Sequence, residues 1–354
     1  MSFLDEAQLQ VLAKPILASV TQSSTASSVV RLAGGASLRR YYRVSGDGSP
    51  SSMLIMETGE TGAPGHSDEA VSGATPTEMP FVNVQRYLSK GAAPVPTIYL
   101  HDLEHGLLYL EDLGDITFES RVVDSSDSVR RDYYRLAIDI LVRMQRWTSA
   151  ERDESCIAFG RGFDAKLLEW ELDHFREYGL DARDLTLAVE ARREFDVAAK
   201  QIAEEIAGWP RLFVHRDYQS RNLMVQDDPR GPRLRVIDFQ DALLGSDVYD
   251  LVGLLRDSYV PLSSSLVREL VGYHAAASGH DAAAFARRFY LQTVQRKLKD
   301  AGRFVFIEQV KKLPGFMQHI PRTLGYVTEA FDELGDHPAA SRLRQALRTV
   351  LPTL

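Results

Sequence analysis

Short apolar runs dominate the first third of the chain, and helical periodicity dominates the rest. Val29-Val30-Arg31-Leu32, Tyr41-Tyr42-Arg43-Val44 and Met53-Leu54-Ile55-Met56 are separated by small or polar residues, which predicts three strands. Phe81, Val84, Tyr87 and Leu88 then repeat at helical spacing up to Gly91. Ile98-Tyr99-Leu100 and Leu107-Leu108-Tyr109-Leu110 flank the polar run His101 to Gly106 and predict a hairpin. Past Asp115 the period changes. Tyr134, Ala137, Ile138, Leu141 and Met144 share one helical face, and helical patterns recur over 165–178, 187–206, 248–255 and most of 264–349. The pattern predicts an α+β chain of two lobes: a small β-rich N-lobe over 1–114 and a larger, mainly helical C-lobe over 115–354.

Two apolar runs interrupt the helical part. Leu212-Phe213-Val214 precedes His215, Leu234-Arg235-Val236-Ile237 precedes Asp238, and Leu223-Met224-Val225 lies between them. These read as short strands that present polar residues at their ends, where a rigid scaffold often holds functional groups. Ser23 to Ser28 reads as a linker or turn. Thr58 to Pro76, rich in Gly, Pro, Ser and Thr, reads as a long surface loop.

Composition narrows the classes. At 354 residues the chain exceeds the usual size of one core, which agrees with two lobes. A formal charge of −8 argues against a chain whose task is coating nucleic acid, so no nucleic-acid partner is expected. With Cys156 the single cysteine, neither an intramolecular disulfide nor a cysteine zinc site can form. Met1 to Lys14 lacks a charged-then-apolar leader pattern, and no apolar stretch reaches bilayer length. A cytoplasmic monomer with no membrane partner is expected.

The chemistry concentrates in His215-Arg216-Asp217-Tyr218-Gln219-Ser220-Arg221-Asn222 and in Ile237-Asp238-Phe239-Gln240-Asp241, each after an apolar strand. Together they match the H-R-D-x-x-x-x-N loop and the metal-binding Asp-Phe segment of kinases. Phosphoryl transfer needs a carboxylate to accept the proton of the attacking hydroxyl, and Asp217 is placed for it. The triphosphate needs Mg2+, which prefers oxygen ligands; Asn222 offers a carbonyl oxygen and Asp238 a carboxylate. Taken singly, each has a plainer reading: Asp217 a turn aspartate, Asn222 a turn residue, Asp238 a cap for a helix at Asp241 to Leu244. Their joint order carries the kinase reading. His215 and Arg216 read as structural, and Asp247 and Asp250 as caps supporting the loop at Asp238.

Gly34, Gly35, Ala36 and Ser37 lie between two strands, as a phosphate-covering loop would, with Arg39 and Arg40 following. A plain hairpin turn fits the same residues. Leu110 to Leu113 occupies the place of a hinge whose backbone would pair with an adenine edge, an ordinary strand end being the other reading.

These residues resemble the aminoglycoside phosphotransferase and choline kinase-like superfamily, and within it the bacterial anomeric N-acetylmuramate and N-acetylglucosamine kinases of cell-wall recycling. The resemblance rests on His215–Asn222, Val236–Asp250, Gly34–Arg43, Pro80-Phe81-Val82, Leu108–Gly114, and Gln295-Arg296-Lys297-Leu298-Lys299 with Gly302. It implies a bilobal protein-kinase-like fold, ATP as co-substrate and Mg2+ as cofactor. It makes Asp217 the base, Asn222 and Asp238 the metal ligands, and Gly35, Ala36, Ser37, Arg40, Glu111 and Leu113 the nucleotide contacts. A sugar acceptor calls for carboxylate and amide partners; Gln240, Asp241 and Glu171 are the candidates, with Arg296 and Lys299 for an acidic substituent. A solvated helix face for Glu171 and a solvated basic helix end for Arg296 are the plainer readings.

One departure stands out. The third strand, Met53-Leu54-Ile55-Met56-Glu57, has no lysine, and the helix Phe81 to Ser89 has no glutamate, where kinases place an ion pair. The anomeric sugar kinases, as the likeness suggests, lack a clear lysine there too, and Arg40 or Arg43 is the candidate substitute. Two other readings remain: a kinase of the same fold for an aminoglycoside, choline or homoserine-type alcohol, and a non-catalytic nucleotide-binding module. Intact Asp217, Asn222 and Asp238 argue against the last. No A-P-E segment follows Asp238, which leaves no platform for a peptide.

Overall fold

Apolar alternation builds a five-stranded antiparallel sheet. The computed structural model describes residues 3–21, 26–32, 39–58 and 78–354. The chain divides into two compact units; one holds the N-terminal residues through Ile116 together with Met224–Gln240, the other Thr117–Leu223 and Asp241–Leu354.

In the first unit, β1 (Ala26–Arg31), β2 (Arg40–Gly46), β3 (Ser52–Glu57), β4 (Ile98–Asp102) and β5 (Leu107–Glu111) lie in the order β1-β2-β3-β5-β4. Register pairs Tyr42 with Ile55 and Ile55 with Tyr109, so one face of the sheet is continuous. Helix α1 (Glu6–Thr21) covers it: Leu9, Ala13 and Leu17, four apart, pack on Tyr42, Val44, Met53, Ile55, Leu107 and Tyr109. Asp5 and Gln8 start α1 as a reciprocal cap, each side chain accepting from the other's backbone N–H at 2.8 and 3.0 Å. This helix is absent from the sequence reading, because Pro15 in its interior argues against one. Its core stripe is nonetheless regular. Helix α2 (Pro80–Leu88) follows, with proline in its first turn. The glycine-rich segment 34–37, and the loop expected over Thr58 to Pro76 from residue 59 onward, lie outside the described residues.

In the second unit, α3 (Phe118–Val122) and α4 (Asp127–Ala150) precede α5 (Ala165–His174), α6 (Val189–Ala207) and β6 (Arg211–Val214). Strands β7 (Leu223–Gln226) and β8 (Arg233–Val236), which from Met224 on belong to the first unit, form a two-stranded sheet; back in the second unit, β9 (Leu243–Ser246) pairs antiparallel with β6, Val214 opposite Leu243. The helix expected at Asp241 to Leu244 is therefore corrected to a turn leading into a strand. Val214 and Leu243 are both fully buried, so pairing with β6 outweighs local helix preference there. Helices α7 (Tyr249–Leu255), α8 (Ser264–Ser278), α9 (Ala282–Gln309), α10 (Ile320–Leu334) and α11 (Pro338–Arg348) complete the chain. Among the described residues no helix is long and apolar enough to cross a membrane.

Candidate active site

The His215–Asn222 loop leaves β6 and is held from beneath by two buried carboxylates. Asp250, fully buried in the first turn of α7, accepts from the backbone N–H of His215 at 2.6 Å and of Arg216 at 3.0 Å. Asp257, just past α7, accepts from Ser220 N–H and Tyr259 N–H, both at 2.9 Å. Burial pushes the Asp250 carboxyl up to about 6, with the His215 amide, the Arg296 charge and the Arg216 amide pulling it back. Burial also raises Asp257, against hydrogen bonds from Ser220 and Tyr259 and the charge of Lys297. A buried carboxylate is tolerated where it is paired or accepts strong hydrogen bonds. Asp250 thus supports the loop at His215, not the one at Asp238 as the sequence suggested. Asp247 has a separate role: its carboxylate, 1 % exposed, meets Arg288 at 2.6 Å.

Above this floor, His215 packs edge-on against the Tyr218 ring, and the Tyr218 hydroxyl donates to the Ala137 carbonyl at 2.8 Å. Arg216 takes a positive φ of 78°, a strained region for a side chain with a Cβ. Asp217 follows it, and its carboxylate remains 35 % exposed while its neighbours are buried. The Asn222 amide nitrogen donates to the Asp217 carbonyl at 2.9 Å, which orients the side chain and fixes which of its ends is the oxygen. Asp217 thus stands half-exposed between buried Arg216 and Tyr218, on a loop whose backbone Asp250 and Asp257 anchor.

In the first unit, Asp238 also adopts a positive φ, 66°, and its Oδ1 accepts from Gln240 Nε2 at 2.8 Å. Phe239 is buried against Phe81, ring centroids 4.8 Å apart. Tyr41 senses both Arg39 and Asp238; burial raises its hydroxyl first, with Arg39 opposing and Asp238 reinforcing. Arg40 lies over the Phe3 ring at 3.3 Å. Arg43 is committed elsewhere: it grips Asp112 at 2.7 Å and Asp115 at 2.8 Å. Glu111 pairs with Arg235 through both oxygens, at 2.7 and 2.6 Å, and its amide donates to the Thr97 carbonyl at 2.9 Å. Leu113 is buried and Gly114 turns the chain at φ 84°. Gly35, Ala36 and Ser37 lie outside the described residues.

The acceptor candidates divide. Asp241 is partly exposed in the second unit, close enough to buried Arg161 to offset part of the burial that lowers that guanidinium. Glu171 and Arg296 are 2 % and 3 % exposed, which corrects the solvated-face and solvated-helix-end readings. Glu171 accepts from Gln295 Nε2 at 2.7 Å, Gln292 Nε2 donates to Gln295 Oε1 at 2.8 Å, and Ser246 donates to Gln292 Oε1 at 2.6 Å. Helix α9 also approaches the end of α5 closely at Gly302, where an added Cβ would lie 2.7 Å from the Phe175 Cα. Lys297 and Lys299 converge on Asp300 at 2.7 and 3.3 Å. The Asp300 carboxyl is held well below its usual range: burial opposes this, but the two lysines and Arg296 outweigh it.

Asp257 was missed in the sequence. The signal was there: Arg256-Asp257-Ser258 follows the apolar run Leu254-Leu255 directly, and all three polar residues are buried. Buried polar residues at a helix end are bound to something, and here it is the loop backbone.

Comparison with known proteins decides the class. Residues 28–288 match the model of the phosphotransferase enzyme family. The chain belongs to that family. The phosphotransferase is 30% identical over 331 residues to a protein of Pseudomonas putida named N-acetylmuramate/N-acetylglucosamine kinase, covering 91% of this chain and 88% of the relative. A protein of the same name from Neisseria meningitidis is 30% identical over 309 residues, 83% of each chain. Among solved structures, a choline/ethanolamine kinase family protein from Mesorhizobium loti superposes with a TM-score of 0.57 at 15% identity, covering 96% of this chain and 99% of that one. An ADP-bound aminoglycoside phosphotransferase gives 0.56 at 12% identity over 96% and 99%. The expected fold and enzyme class, an α+β kinase-like phosphotransferase, both hold.

Proposed function

We propose that this phosphotransferase moves the γ-phosphoryl group of ATP to the anomeric hydroxyl of N-acetylmuramate or N-acetylglucosamine. The reading is carried by the similarity over nine-tenths of the chain to a relative bearing that kinase name. It is supported by the exposed Asp217 carboxylate on a loop held by Asp250 and Asp257. The acceptor O–H gives its proton to Asp217 as the oxygen attacks the γ-phosphorus; the bond to the bridging oxygen breaks and ADP leaves. Little covalent chemistry falls to the protein, so positioning and charge carry the rate.

Asn222 and Asp238 are the protein groups that would hold Mg2+, which neutralises triphosphate charge when bound. Their donor set, one amide oxygen and one carboxylate oxygen, suits a hard cation that keeps phosphate and water ligands. Among the described residues there is no group of three or more His, Cys, Asp or Glu side chains able to hold a metal, and a site of this kind needs none. Residues 1–114 act as the nucleotide lobe, through Gly35, Ala36, Ser37, Arg40 and the Glu111–Leu113 backbone. Residues 115–354 act as the lobe of the base and acceptor, with Gln240 and Asp241 meeting sugar hydroxyls. Arg40 remains the candidate substitute for the strand lysine, since Arg43 is committed to two aspartates. The enzyme works as a cytoplasmic monomer in cell-wall recycling.

The test is turnover with ATP and magnesium over a panel of N-acetylglucosamine, N-acetylmuramate, an aminoglycoside, choline and homoserine, with phosphorus NMR locating the product. Phosphate on C1 of either amino sugar is expected. Product only from an amino alcohol or aminoglycoside would overturn the sugar, and ATP binding with no product would overturn the enzyme. Asp217→Asn should keep nucleotide binding while turnover falls about 10²–10⁴-fold.

A further inference from the structure

The guanidinium of Arg296 forks between two backbone carbonyls. One nitrogen, NH2, donates to the Arg216 carbonyl at 2.8 Å; the other, NH1, donates to the Tyr249 carbonyl at 3.1 Å. The guanidinium lies 4.3 Å over the Tyr249 ring, and NH2 is 3.9 Å from the Asp217 Oδ1. We propose that Arg296 is a positioning residue for phosphoryl transfer, holding the carbonyl of Arg216 so that the next residue, Asp217, presents its carboxylate to the acceptor. The inference rests on the reading of Asp217 as the base.

Three observations converge on it. The Arg216 residue is strained, and such a conformation persists only where its surroundings over-determine it. It is gripped on both sides: its N–H by Asp250 and its carbonyl by Arg296. Second, α7 makes room for the guanidinium. Gly253 stands where an added Cβ would lie 3.0 Å from Arg296 NH2 and 3.0 Å from the Tyr218 carbonyl. Third, Arg296 Nε is buried with no hydrogen-bond partner among the described residues. The side chain therefore sits where two backbone carbonyls need it, at the expense of its own hydrogen bonding. A planar fork bridges two carbonyls at fixed separation; a lysine is a point charge on a flexible stem and cannot reproduce that bridge.

The experiment is steady-state kinetics of Arg296→Lys and Arg296→Gln beside Asp217→Asn, using ATP and N-acetylglucosamine or whichever panel acceptor gives product. The expected result is kcat down about 100-fold for Gln and about tenfold for Lys, with both KM values and nucleotide affinity within about threefold of the parent. A Lys or Gln variant at parental kcat overturns the inference. So does a loss that appears equally in KM and nucleotide binding, the mark of a merely structural role. Should the Gln variant not fold, the Lys variant, which keeps the buried charge, decides. Turnover surviving in Asp217→Asn sinks the base reading itself, whereas an inactive Asp217→Asn beside a normal Arg296→Lys sinks only the role of Arg296.

Discussion

Two pairs of carboxylates, one pair in each unit, are held in opposite ways. In the first, Glu111 and Asp112 lie below the usual carboxylate range. Burial would raise each, but Arg235 and the Thr97 amide outweigh it for Glu111, and Arg43, Ser52 and the Gly114 amide for Asp112. In the second, Asp250 and Asp257 lie above that range, because burial outweighs the amides they accept from. The sign decides the purpose. A carboxyl with a lowered pKa contributes stability above its unfolded pKa and loses it as pH falls. A carboxyl with a raised pKa contributes stability only in its protonated form, and that contribution is lost as pH rises through the folded value. The strand-end pairs therefore stabilise their fold, whereas the carboxylates under the His215–Asn222 loop cost stability at neutral pH while fixing the backbone of that loop.

Asp250→Asn offers the sharpest way to break this contrast. Removing the charge loosens two amides at the start of the loop, and kcat should fall about 100-fold. Its stability relative to the parent should improve between pH 5 and pH 8, by about 1.4 kcal/mol for a shift to about 6. Chemical denaturation at both pH values checks this; a variant that loses as much stability at pH 8 as at pH 5 would remove the contrast. Asp257→Asn should act in the same direction but more weakly, about tenfold in kcat, because it anchors the far end of the loop at Ser220.

The opposite pattern is expected at the strand ends. Asp112→Asn should lower stability by about 1–2 kcal/mol at pH 7, from loss of a charged pair with Arg43, while kcat changes less than about threefold. The deficit should shrink on acidification, as the parental carboxyl is protonated. A thermal melt and a rate at two pH values suffice. The smallest effect should come from His274. It stacks on Phe285 with centroids 5.0 Å apart and is pushed down to about 3, by burial first and then by the charge of His280. A histidine held neutral this way weakens the fold as pH drops below about 6.5, by up to about 1.4 kcal/mol per unit. His274→Phe should flatten that slope and leave activity unchanged.

The local signals proved most legible where one element buries one face. Tyr41–Val44 and Met53–Met56 read as strands and became β2 and β3; Ala165–Tyr178 read as one helix and became α5 with a wider π turn over Phe175–Leu180. Signals failed where long-range pairing competed with a local rule. Pro15 concealed α1, and Leu243 to Ser246 folded as a strand only because β6 was there to pair with it. The site shows the same division. Asp217 and Asn222 stand out in the sequence by their spacing along one loop after an apolar strand, and the structure places both on the loop that leaves β6. Asp257 and the fork of Arg296 do not, since neither touches the loop through sequence neighbours.

Amino-acid order by itself determined the element types, the loop that carries Asp217 and Asn222, and the class of chemistry, because these depend on periodicity and on residue kinds at short spacing. Tertiary structure alone decided which buried charges hold that loop. Asp250, Asp257 and Arg296 reach it from 34, 37 and 80 residues away, and only packing of α7 and α9 beneath the loop turns their burial from a penalty into a support.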